Sequence, residues 1–344
     1  MRFAICKKES VKKPTGKKIA IIGSGPAGLF AAGRLICNGH NVDVYEMLPE
    51  PGGLLIFGIP DFRLPKDKIK RGIKELEELG VRFHCNTKIG ETLKLGDLIE
   101  KYDAVIIATG TWKGKILSCP GSDLKGVISA FEWLTKLHLC KRGYLDESQV
   151  PKIGKNVVVI GGGEVAMDAA RTALREGAEK VTVAYRRRKV DMPAQGDTVE
   201  AAMKEGVEFI FLVQPTKILG DDEGKVRAIE LVRNELGPLD SSGRPRPIPK
   251  PGTEFELECD TVVFAIGERA TPPFEDEEYG IKLTRWGTIW TDEKGRTTCK
   301  GVFAAGDVVN GPSLIGEAVK SALRMVSGVE EYLKTGGWDV VYTE

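Results

Sequence analysis

A pattern of strand, glycine turn, helix and second strand occurs twice in this 344-residue sequence, and no other feature constrains the fold as much. The first copy spans 18–46 and the second spans 156–186. In each copy a β-branched apolar run ends on a Gly-x-Gly turn, small and apolar residues follow at helical spacing, and a second β-branched run comes next. Two strands joined by a helix form a βαβ unit, in which the strands lie parallel. The repeat therefore predicts an α/β protein built from two such units.

Later segments complete both units. Apolar strands that end on glycine occur at 102–110 and 260–267, and a short strand at 301–307 precedes a helix-like run that begins near Ile315. The length also fits two domains. This order predicts two Rossmann-like dinucleotide-binding domains, with the second inserted in the first. The predicted domains are 1–118 with 269–344, which form the discontinuous first domain, and 119–268, which forms the second and contains loops and a hairpin between 220 and 252.

Charge and hydropathy exclude several classes of function. The formal net charge is +1, so no basic or acidic field favours nucleic acid or a membrane surface. The longest apolar runs, such as 157–160 and 302–305, are too short to span a bilayer. The first ten residues lack the apolar core of a signal peptide, so we expect a cytoplasmic protein.

The seven cysteines are scattered, and none forms a CxxC or CxxxxC pair. This spacing argues against a metal cluster and against a redox-active disulfide, so no metal site is predicted. We expect most of the cysteines to be small core or surface residues. The six lysines between Lys7 and Lys18 form a basic arm, which is either a docking element or, more simply, a solvated tail.

Each glycine turn is suited to a pyrophosphate. The turn brings backbone N–H groups to a helix N-terminus, where the partial positive charge of the helix favours an anion. In the first copy, Gly23 permits the tight turn, Gly25 lets the phosphates approach, and Gly28 lets helix and strand pack closely. Gly161, Gly163 and Ala166 take the same places in the second copy. A simple strand-to-helix corner is the alternative interpretation of each turn.

The residue that follows each second strand distinguishes the two dinucleotides. Glu46 stands there in the first copy and Arg186 in the second. A carboxylate accepts hydrogen bonds from the ribose hydroxyls and repels a 2′-phosphate, whereas an arginine binds that phosphate. The first turn is therefore predicted to bind FAD or NAD, and the second to bind NADP through Arg186 with Arg187 and Arg188. A solvated basic turn is the alternative for the arginines.

A third predicted contact follows the strand at 301–307. Asp307 at the strand end is placed to hydrogen-bond the ribityl chain of a flavin. The helix N-terminus near Leu314 could then face the flavin and stabilise negative charge on the reduced ring. Gly311 and Pro312 intervene before the long helix, so Ser313 is expected to cap it instead of Asp307.

These segments resemble the family of the NADPH-dependent glutamate synthase small subunit. The same family includes the large subunit of the NADH-dependent ferredoxin:NADP oxidoreductase, the α subunit of sulfide dehydrogenase and the flavin half of dihydropyrimidine dehydrogenase. The specific stretches are 51–65, 163–168, 185–194 and 306–313. The resemblance implies a two-dinucleotide-binding flavoprotein of the glutathione-reductase type, with contacts from Leu54, Arg63, Ile89 and Ile315 to FAD.

The motifs and the resemblance together define two predicted sites. The predicted FAD-binding residues are Gly23, Ser24, Gly25, Pro26, Ala27, Gly28, Glu46, Met47, Gly53, Leu54, Arg63, Ile89, Thr109, Gly110, Gly306, Asp307, Leu314 and Ile315. The predicted NADP-binding residues are Gly161, Gly162, Gly163, Glu164, Val165, Ala166, Arg186, Arg187 and Gly267. No side chain is predicted to act as an acid or base, because the flavin carries the chemistry.

Three departures from the family pattern shape the functional prediction. Family members carry an N-terminal domain whose cysteines hold iron–sulfur clusters, whereas only Cys6 precedes the first strand here. Glu164 stands beside the pyrophosphate, where the family has an uncharged polar residue, and the segment after Ser313 is looser than usual. The resemblance implies an FAD-dependent oxidoreductase subunit that transfers a hydride between NADPH and FAD and exchanges electrons with an iron–sulfur partner subunit or a ferredoxin.

Two other functions are compatible with parts of the pattern, and two more lack the residues that they would need. Glu164 favours a non-catalytic nucleotide-binding assembly subunit, because an acid beside the pyrophosphate would weaken coenzyme binding. A disulfide reductase would need a cysteine pair, and a monooxygenase would need an organic substrate pocket that no motif indicates. Ferredoxin or polysulfide:NADP oxidoreduction is an alternative to glutamate synthesis within the same family.

Overall fold

The structure is a computed structural model that describes residues 1–342, and its contacts divide the chain into two compact units. The first unit comprises Met1–Lys113 and Glu268–Glu344, and the second comprises Gly114–Gly267. The sequence places these crossings near 118 and 268. Within the described residues, no helix is both long and apolar enough to cross a bilayer.

The first unit is built on a five-stranded parallel sheet in the order β16-β4-β1-β2-β3. The strands β5 and β15 form a separate two-stranded sheet. The strands are β1 (Lys18–Ile22), β2 (Asn41–Tyr45), β3 (Arg82–His84), β4 (Ala104–Ile107), β5 (Thr111–Gly114), β15 (Glu268–Ala270) and β16 (Val302–Ala304). The helices are α1 (Pro26–Cys37), α2 (Leu54–Phe57), α3 (Asp67–Leu79), α4 (Leu95–Lys101), α8 (Asp307–Asn310) and α9 (Ile315–Thr335).

The second unit repeats this arrangement, with a parallel sheet in the order β6-β14-β7-β8-β9. It also holds an antiparallel sheet in which β11 pairs with β10, β12 and β13. The strands are β6 (Val127–Ser129), β7 (Asn156–Ile160), β8 (Lys180–Tyr185), β9 (Glu208–Phe211), β10 (Val213–Gly220), β11 (Val226–Leu239), β12 (Pro245–Pro249), β13 (Phe255–Glu258) and β14 (Thr261–Phe264). The helices are α5 (Ala130–Lys141), α6 (Glu164–Arg175) and α7 (Gly196–Lys204).

Alternation along β7 shows why this sheet is covered on both faces. Val157 and Val159 pack into a core with α5, α6 and α7, whereas Val158 and Ile160 pack against Ile229 and other residues of the antiparallel sheet. Successive strand side chains point to opposite faces, so a strand buried on both faces must be apolar throughout. Because β7 is buried on both faces, its position in the sheet is fixed. The glycine turn that follows it therefore lies at the carboxyl edge of the sheet.

The first residues of the chain pack against two helices of the first unit. Phe3 is 1% exposed. A Cβ built on Gly33 of α1 would lie 2.3 Å from the Phe3 carbonyl oxygen, and one on Gly72 of α3 would lie 2.3 Å from that of Met1. Two helices thus carry glycine where the segment crosses them. The basic arm begins directly after this packed segment, and its lysines Lys7, Lys8, Lys12 and Lys13 are exposed.

Cys6 and Cys37 form a disulfide, which the sequence analysis did not predict. The bond joins the N-terminal segment to the last residue of α1. The other five cysteines are free, as expected for small core and partly buried residues. A pair separated by 31 residues has no spacing signature, so only the packing of the segment reveals it.

Candidate dinucleotide-binding sites

The first glycine turn has the geometry that close approach to a ligand requires. Gly23 has a φ of +97°, and its Cβ would lie 2.5 Å from the Ala108 carbonyl oxygen. A Cβ on Gly28 would lie 2.0 Å from the Gly23 oxygen, so only glycine lets α1 pack on β1. Gly25 differs, because its Cβ would meet no atom within 4 Å. Two glycines therefore serve the protein's own packing, and Gly25 leaves open space at the start of α1.

Ser24 and Glu46 form a buried pair beside this turn. Glu46 is 3% exposed, and its Oε2 accepts hydrogen bonds from the Ser24 N–H (2.9 Å) and the Ser24 hydroxyl. Its Oε1 accepts a bond from the Leu48 N–H at 2.9 Å. Burial raises the pKa of Glu46, and the hydrogen bonds from Ser24 and Leu48 oppose that rise. Each carboxylate oxygen has more than one lone pair, so the group can still accept bonds from ribose hydroxyls.

Ser24 has a structural role that the sequence did not indicate. Its hydroxyl also accepts a hydrogen bond from the Gly52 N–H at 2.9 Å, which ties the loop before α2 to the glycine turn. Next in this loop, Gly53 has a φ of +52°, and its Cβ would lie 3.0 Å from the Gly25 Cα. The flavin-side loop and the glycine turn are therefore adjacent.

Several other predicted FAD residues converge on the same edge of the sheet. A Cβ on Gly306 would lie 2.9 Å from the Ala27 Cβ, and the Thr109 Cα would lie 3.1 Å from a Cβ on Gly23. The Thr109 hydroxyl is buried and has no hydrogen-bond partner among residues 1–342. An unpaired buried hydroxyl costs free energy, so a partner supplied by a ligand fits this position. A dinucleotide, which carries many hydrogen-bonding groups, fits this requirement of Thr109.

Ile89 and Met47 lie along neighbouring segments. The Glu46 carbonyl accepts a hydrogen bond from the Thr87 N–H at 2.8 Å, so the segment that leads to Ile89 runs beside the one that carries Met47. Ile89 itself is 5% exposed. Arg63 lies in the loop between α2 and α3, with its N–H bonded to the Pro60 carbonyl at 3.0 Å.

Asp307 and Ser313 are arranged differently from the sequence prediction. A short helix, α8, begins directly at Asp307, and Ser313 does not cap α9. The Ser313 hydroxyl instead donates to Asp307 Oδ1 at 2.6 Å. Burial raises the pKa of Asp307, and the bonds from Ser313 oppose that effect. The prediction that Ser313 caps the helix is wrong because its hydroxyl is used to orient Asp307, while Leu314 takes the N-cap position of α9 without a side-chain bond.

The second glycine turn has the same design. Gly161 has a φ of +148°, with Ala265 oxygen 2.2 Å from its Cβ position, and a Cβ on Gly163 would meet no atom within 4 Å. Ala166 is fully buried, so the smallest side chain suffices there. Gly162 lies under the Tyr185 ring, which would be 2.4 Å from its Cβ. Val165 follows in the first turn of α6, and Gly267, with a φ of +98°, lies after β14.

Glu164 is tied to a neighbouring loop. Its Oε1 accepts a hydrogen bond from the Gln195 N–H at 2.7 Å, at the residue before α7. An acid at this place thus has a partner within the protein.

The three arginines after β8 have different surroundings. Arg187 is 2% exposed, and its guanidinium bonds Asp240 at 2.5 Å and the Pro245 carbonyl at 2.7 Å. Arg188 is exposed and pairs with Asp191 at 2.8 Å. The Arg186 side chain is exposed and has no carboxylate partner in residues 1–342. The geometry therefore favours Arg186 as the residue that binds a phosphate and gives Arg187 a different, structural partner.

The residues 17–322 match the sequence model of the pyridine nucleotide-disulphide oxidoreductases. The chain belongs to this family. Among curated relatives, it is 42% identical over 331 residues to the NADP(+)-dependent formate dehydrogenase subunit beta of Moorella thermoacetica. It is 38% identical over 334 residues to the glutamate synthase [NADPH] small chain of Azospirillum brasilense. These alignments each cover 95% of this chain, but 45% and 69% of the respective relatives.

A solved structure of an oxidoreductase has a fold similar to that of this chain. FprA from Mycobacterium tuberculosis, in complex with NADPH, superposes with a TM-score of 0.79 at 27% identity, covering 93% of this chain and 85% of FprA. These findings confirm the α/β two-dinucleotide fold, the oxidoreductase class and the resemblance to the glutamate synthase small subunit. The family is named for pyridine nucleotides, and both FprA and the glutamate synthase small chain are named with NADPH.

Proposed function

We propose that this oxidoreductase transfers a hydride between NADPH, bound at the second glycine turn, and FAD, bound at the first. The observation that carries the proposal is the contrast after the two second strands. A buried carboxylate, Glu46, follows β2, whereas an arginine without a carboxylate partner in residues 1–342, Arg186, follows β8. The two turns are otherwise alike, so this contrast decides which coenzyme each one accepts.

FAD, when bound, supplies the chemistry, since it accepts a hydride and can release electrons one at a time. The chain's own residues bind and orient. The open space at Gly25 and Gly163 admits a pyrophosphate to the N-termini of α1 and α6, where the partial positive charge of each helix stabilises it. Glu46 would hold the FAD ribose, and Asp307, oriented by Ser313, would hold the ribityl chain.

The Cys6–Cys37 disulfide is not placed for exchange with the flavin. Cys37 is the last of the 12 residues of α1, and the glycine turn lies at the first. At 1.5 Å per residue the two ends are about 17 Å apart. A flavin-linked disulfide must lie against the ring, so the geometry favours electron exchange with another protein over disulfide reduction.

We propose an iron–sulfur subunit or a ferredoxin as that partner. Two relatives are named as a subunit beta and a small chain, that is, as parts of larger enzymes. In residues 1–342 no group of three or more His, Cys, Asp or Glu side chains could hold a metal ion. The substrate of the complete enzyme, and the cytoplasmic location, stay predictions.

Nucleotide release and anaerobic titration test the hydride transfer. The purified protein should be yellow, should release FAD on denaturation, and should lose its oxidised flavin absorbance when NADPH is added. The Gly163→Ala variant tests the NADPH site separately from the FAD site. Its added Cβ would meet no protein atom within 4 Å, so the fold should persist, but it would block the pyrophosphate of NADPH. It should keep FAD and resist reduction by NADPH.

Two results would contradict the proposal. A protein that carries no flavin, or a flavin that NADPH cannot reduce, would support the non-catalytic binding subunit instead. Reduction of a [4Fe–4S] ferredoxin by NADPH and the protein, measured by loss of ferredoxin absorbance, tests the partner separately. No transfer to ferredoxin, with normal flavin reduction, would remove the iron–sulfur partner alone.

A further inference from the structure

The turn between β11 and β12 is held in one conformation by Asp240. Asp240 Oδ1 accepts hydrogen bonds from the Ser242 N–H at 2.8 Å, the Ser242 hydroxyl at 2.5 Å and the Arg244 N–H at 3.3 Å. The Asp240 N–H donates to the Arg244 carbonyl at 2.8 Å. These bonds, led by the one from the Ser242 side chain, lower the pKa of Asp240 to about 2, so the turn stays closed across the working pH range.

This turn, residues 240–244, is fastened to the end of β8 by Arg187. The Arg187 guanidinium donates to Asp240 Oδ2 at 2.5 Å and to the Pro245 carbonyl at 2.7 Å. Arg187 is 2% exposed, and a buried ion pair holds its geometry because breaking it leaves an uncompensated charge. Nearby, the Asn234 amide donates to the Arg186 carbonyl at 3.0 Å, so β11 also contacts the end of β8.

These contacts place Arg244 near Arg186. Pro245, which directly follows Arg244, and Asp240, which bonds Arg244 twice, both touch the residue next to Arg186. The Arg244 Nε donates only to the neutral Ser242 hydroxyl, at 2.9 Å. Neither Arg186 nor Arg244 forms an ion pair with a carboxylate in the described part of the chain. The carboxylate of Asp240 pairs with Arg187 instead.

The guanidinium groups of Arg186 and Arg244 repel each other, and the charge of Asp240 offsets this repulsion only in part. Partial burial, with the charges of Arg187 and Arg244, lowers the pKa of Arg186. A dianionic ligand removes this repulsion, and guanidinium groups suit phosphate because they donate two parallel hydrogen bonds.

We propose that Arg244 is a second residue that binds the adenosine 2′-phosphate of NADP(H), together with Arg186, and that Arg187 and Asp240 are positioning residues for it. This inference rests on the proposed function, which places NADP(H) at the second glycine turn. It adds a specificity determinant from a hairpin outside the βαβ unit.

The affinities of the FAD-loaded protein for 2′,5′-ADP and 5′-AMP, measured by titration calorimetry, test the inference without turnover. Arg244→Ala should weaken 2′,5′-ADP about tenfold and leave 5′-AMP within about twofold, as expected for loss of one charge-assisted contact. Arg246→Ala is the matched control, because Arg246 is exposed on β12, two residues away. It should change neither ligand.

The positioning pair is tested by Asp240→Asn, which keeps the shape of the side chain. Like Arg244→Ala, this variant should bind 2′,5′-ADP more weakly and bind 5′-AMP normally. Its far-ultraviolet circular dichroism spectrum should be unchanged. If that variant misfolds, Ser242→Ala loosens the same turn more gently and should give a smaller loss of the same kind.

The outcomes separate this inference from the proposed function. If Arg186→Ala is selective for 2′,5′-ADP while Arg244→Ala behaves like Arg246→Ala, the role of Arg244 is refuted and the NADPH assignment stands. If the wild-type protein binds both ligands equally, the NADPH assignment itself is refuted.

Discussion

Glu46 and Arg186 occupy corresponding places in two parallel sheets, each directly after a tyrosine that ends the second strand of its βαβ unit. The carboxylate of Glu46 is buried and accepts two backbone N–H bonds, whereas Arg186 is an exposed residue whose guanidinium is partly buried and has no carboxylate partner among residues 1–342. One position suits a ribose with free hydroxyls and the other suits a 2′-phosphate. This contrast is the basis of the proposal that the first turn takes FAD and the second takes NADPH.

Arg186→Ala should reduce the preference for NADPH over NADH. Loss of a charge-assisted bond to phosphate costs about 1.5–3 kcal/mol, which corresponds to roughly a 10- to 100-fold rise in KM for NADPH. KM for NADH should change less than about threefold, because NADH has no group for the arginine to bind. Initial rates of NADPH and NADH oxidation with ferricyanide measure both. Arg188→Ala, whose side chain pairs with Asp191, is the control, and equal losses for both coenzymes would contradict the role of Arg186.

Two glycines of the first turn should respond differently to alanine. Gly28→Ala places its Cβ 2.0 Å from a backbone oxygen, so it should destabilise or unfold the first unit. Gly25→Ala has no protein atom within 4 Å and a φ of −69°, so the fold should persist while FAD affinity falls. Thermal unfolding of the apoprotein and FAD binding by fluorescence distinguish the two effects. If Gly25→Ala binds FAD normally, the pyrophosphate does not approach this residue.

The Cys6–Cys37 disulfide should stabilise the first unit. It closes a loop over a separation of 31 residues, for which the loss of chain entropy in the unfolded state corresponds to about 3.7 kcal/mol. Cys6→Ser with Cys37→Ser should therefore lower Tm, and dithiothreitol should lower the Tm of the wild type but not of the double variant. Cys140→Ser, which removes a free cysteine, is the control. An unchanged Tm in all three proteins would show that the bond contributes nothing to stability.

The elements of both βαβ units follow from the sequence because local patterns determine them. The run Asn156–Ile160 is apolar throughout, since both faces of its sheet are covered, and its glycine turn marks the strand end. The charge contrast of Glu46 and Arg186 is likewise a local signal. Each could be recognised from a few consecutive residues.

Features that depend on distant contacts could not be predicted in this way. Arg187 was grouped with Arg186 because adjacent arginines look alike in a sequence, but the side chains on a strand end point to opposite sides, and Arg187 meets Asp240, 53 residues away. The partner of Glu164, the N–H of Gln195, also lies across a loop. The same holds for the histidines, since His40 bonds Glu330 and His84 bonds Asp43, although neither partner is near in sequence.

Glu205 should make the second unit more stable above pH 4.5 than in acid. Hydrogen bonds from Arg175 and Arg171 of α6 lower the pKa of Glu205 from 4.5 to about 2. A carboxylate whose pKa is lower in the folded state contributes stability that is complete above its unfolded pKa and is lost as the pH falls towards 2. Because the group is partly exposed, Glu205→Gln should cost only about 1 kcal/mol at pH 7.

Urea unfolding at pH 7 and pH 3.5 measures the difference in unfolding free energy between variant and wild type, which should shrink at the lower pH. Glu179→Gln, in an exposed pair with Lys155, is the control, and a pH-independent difference for Glu205→Gln would contradict an ionic origin.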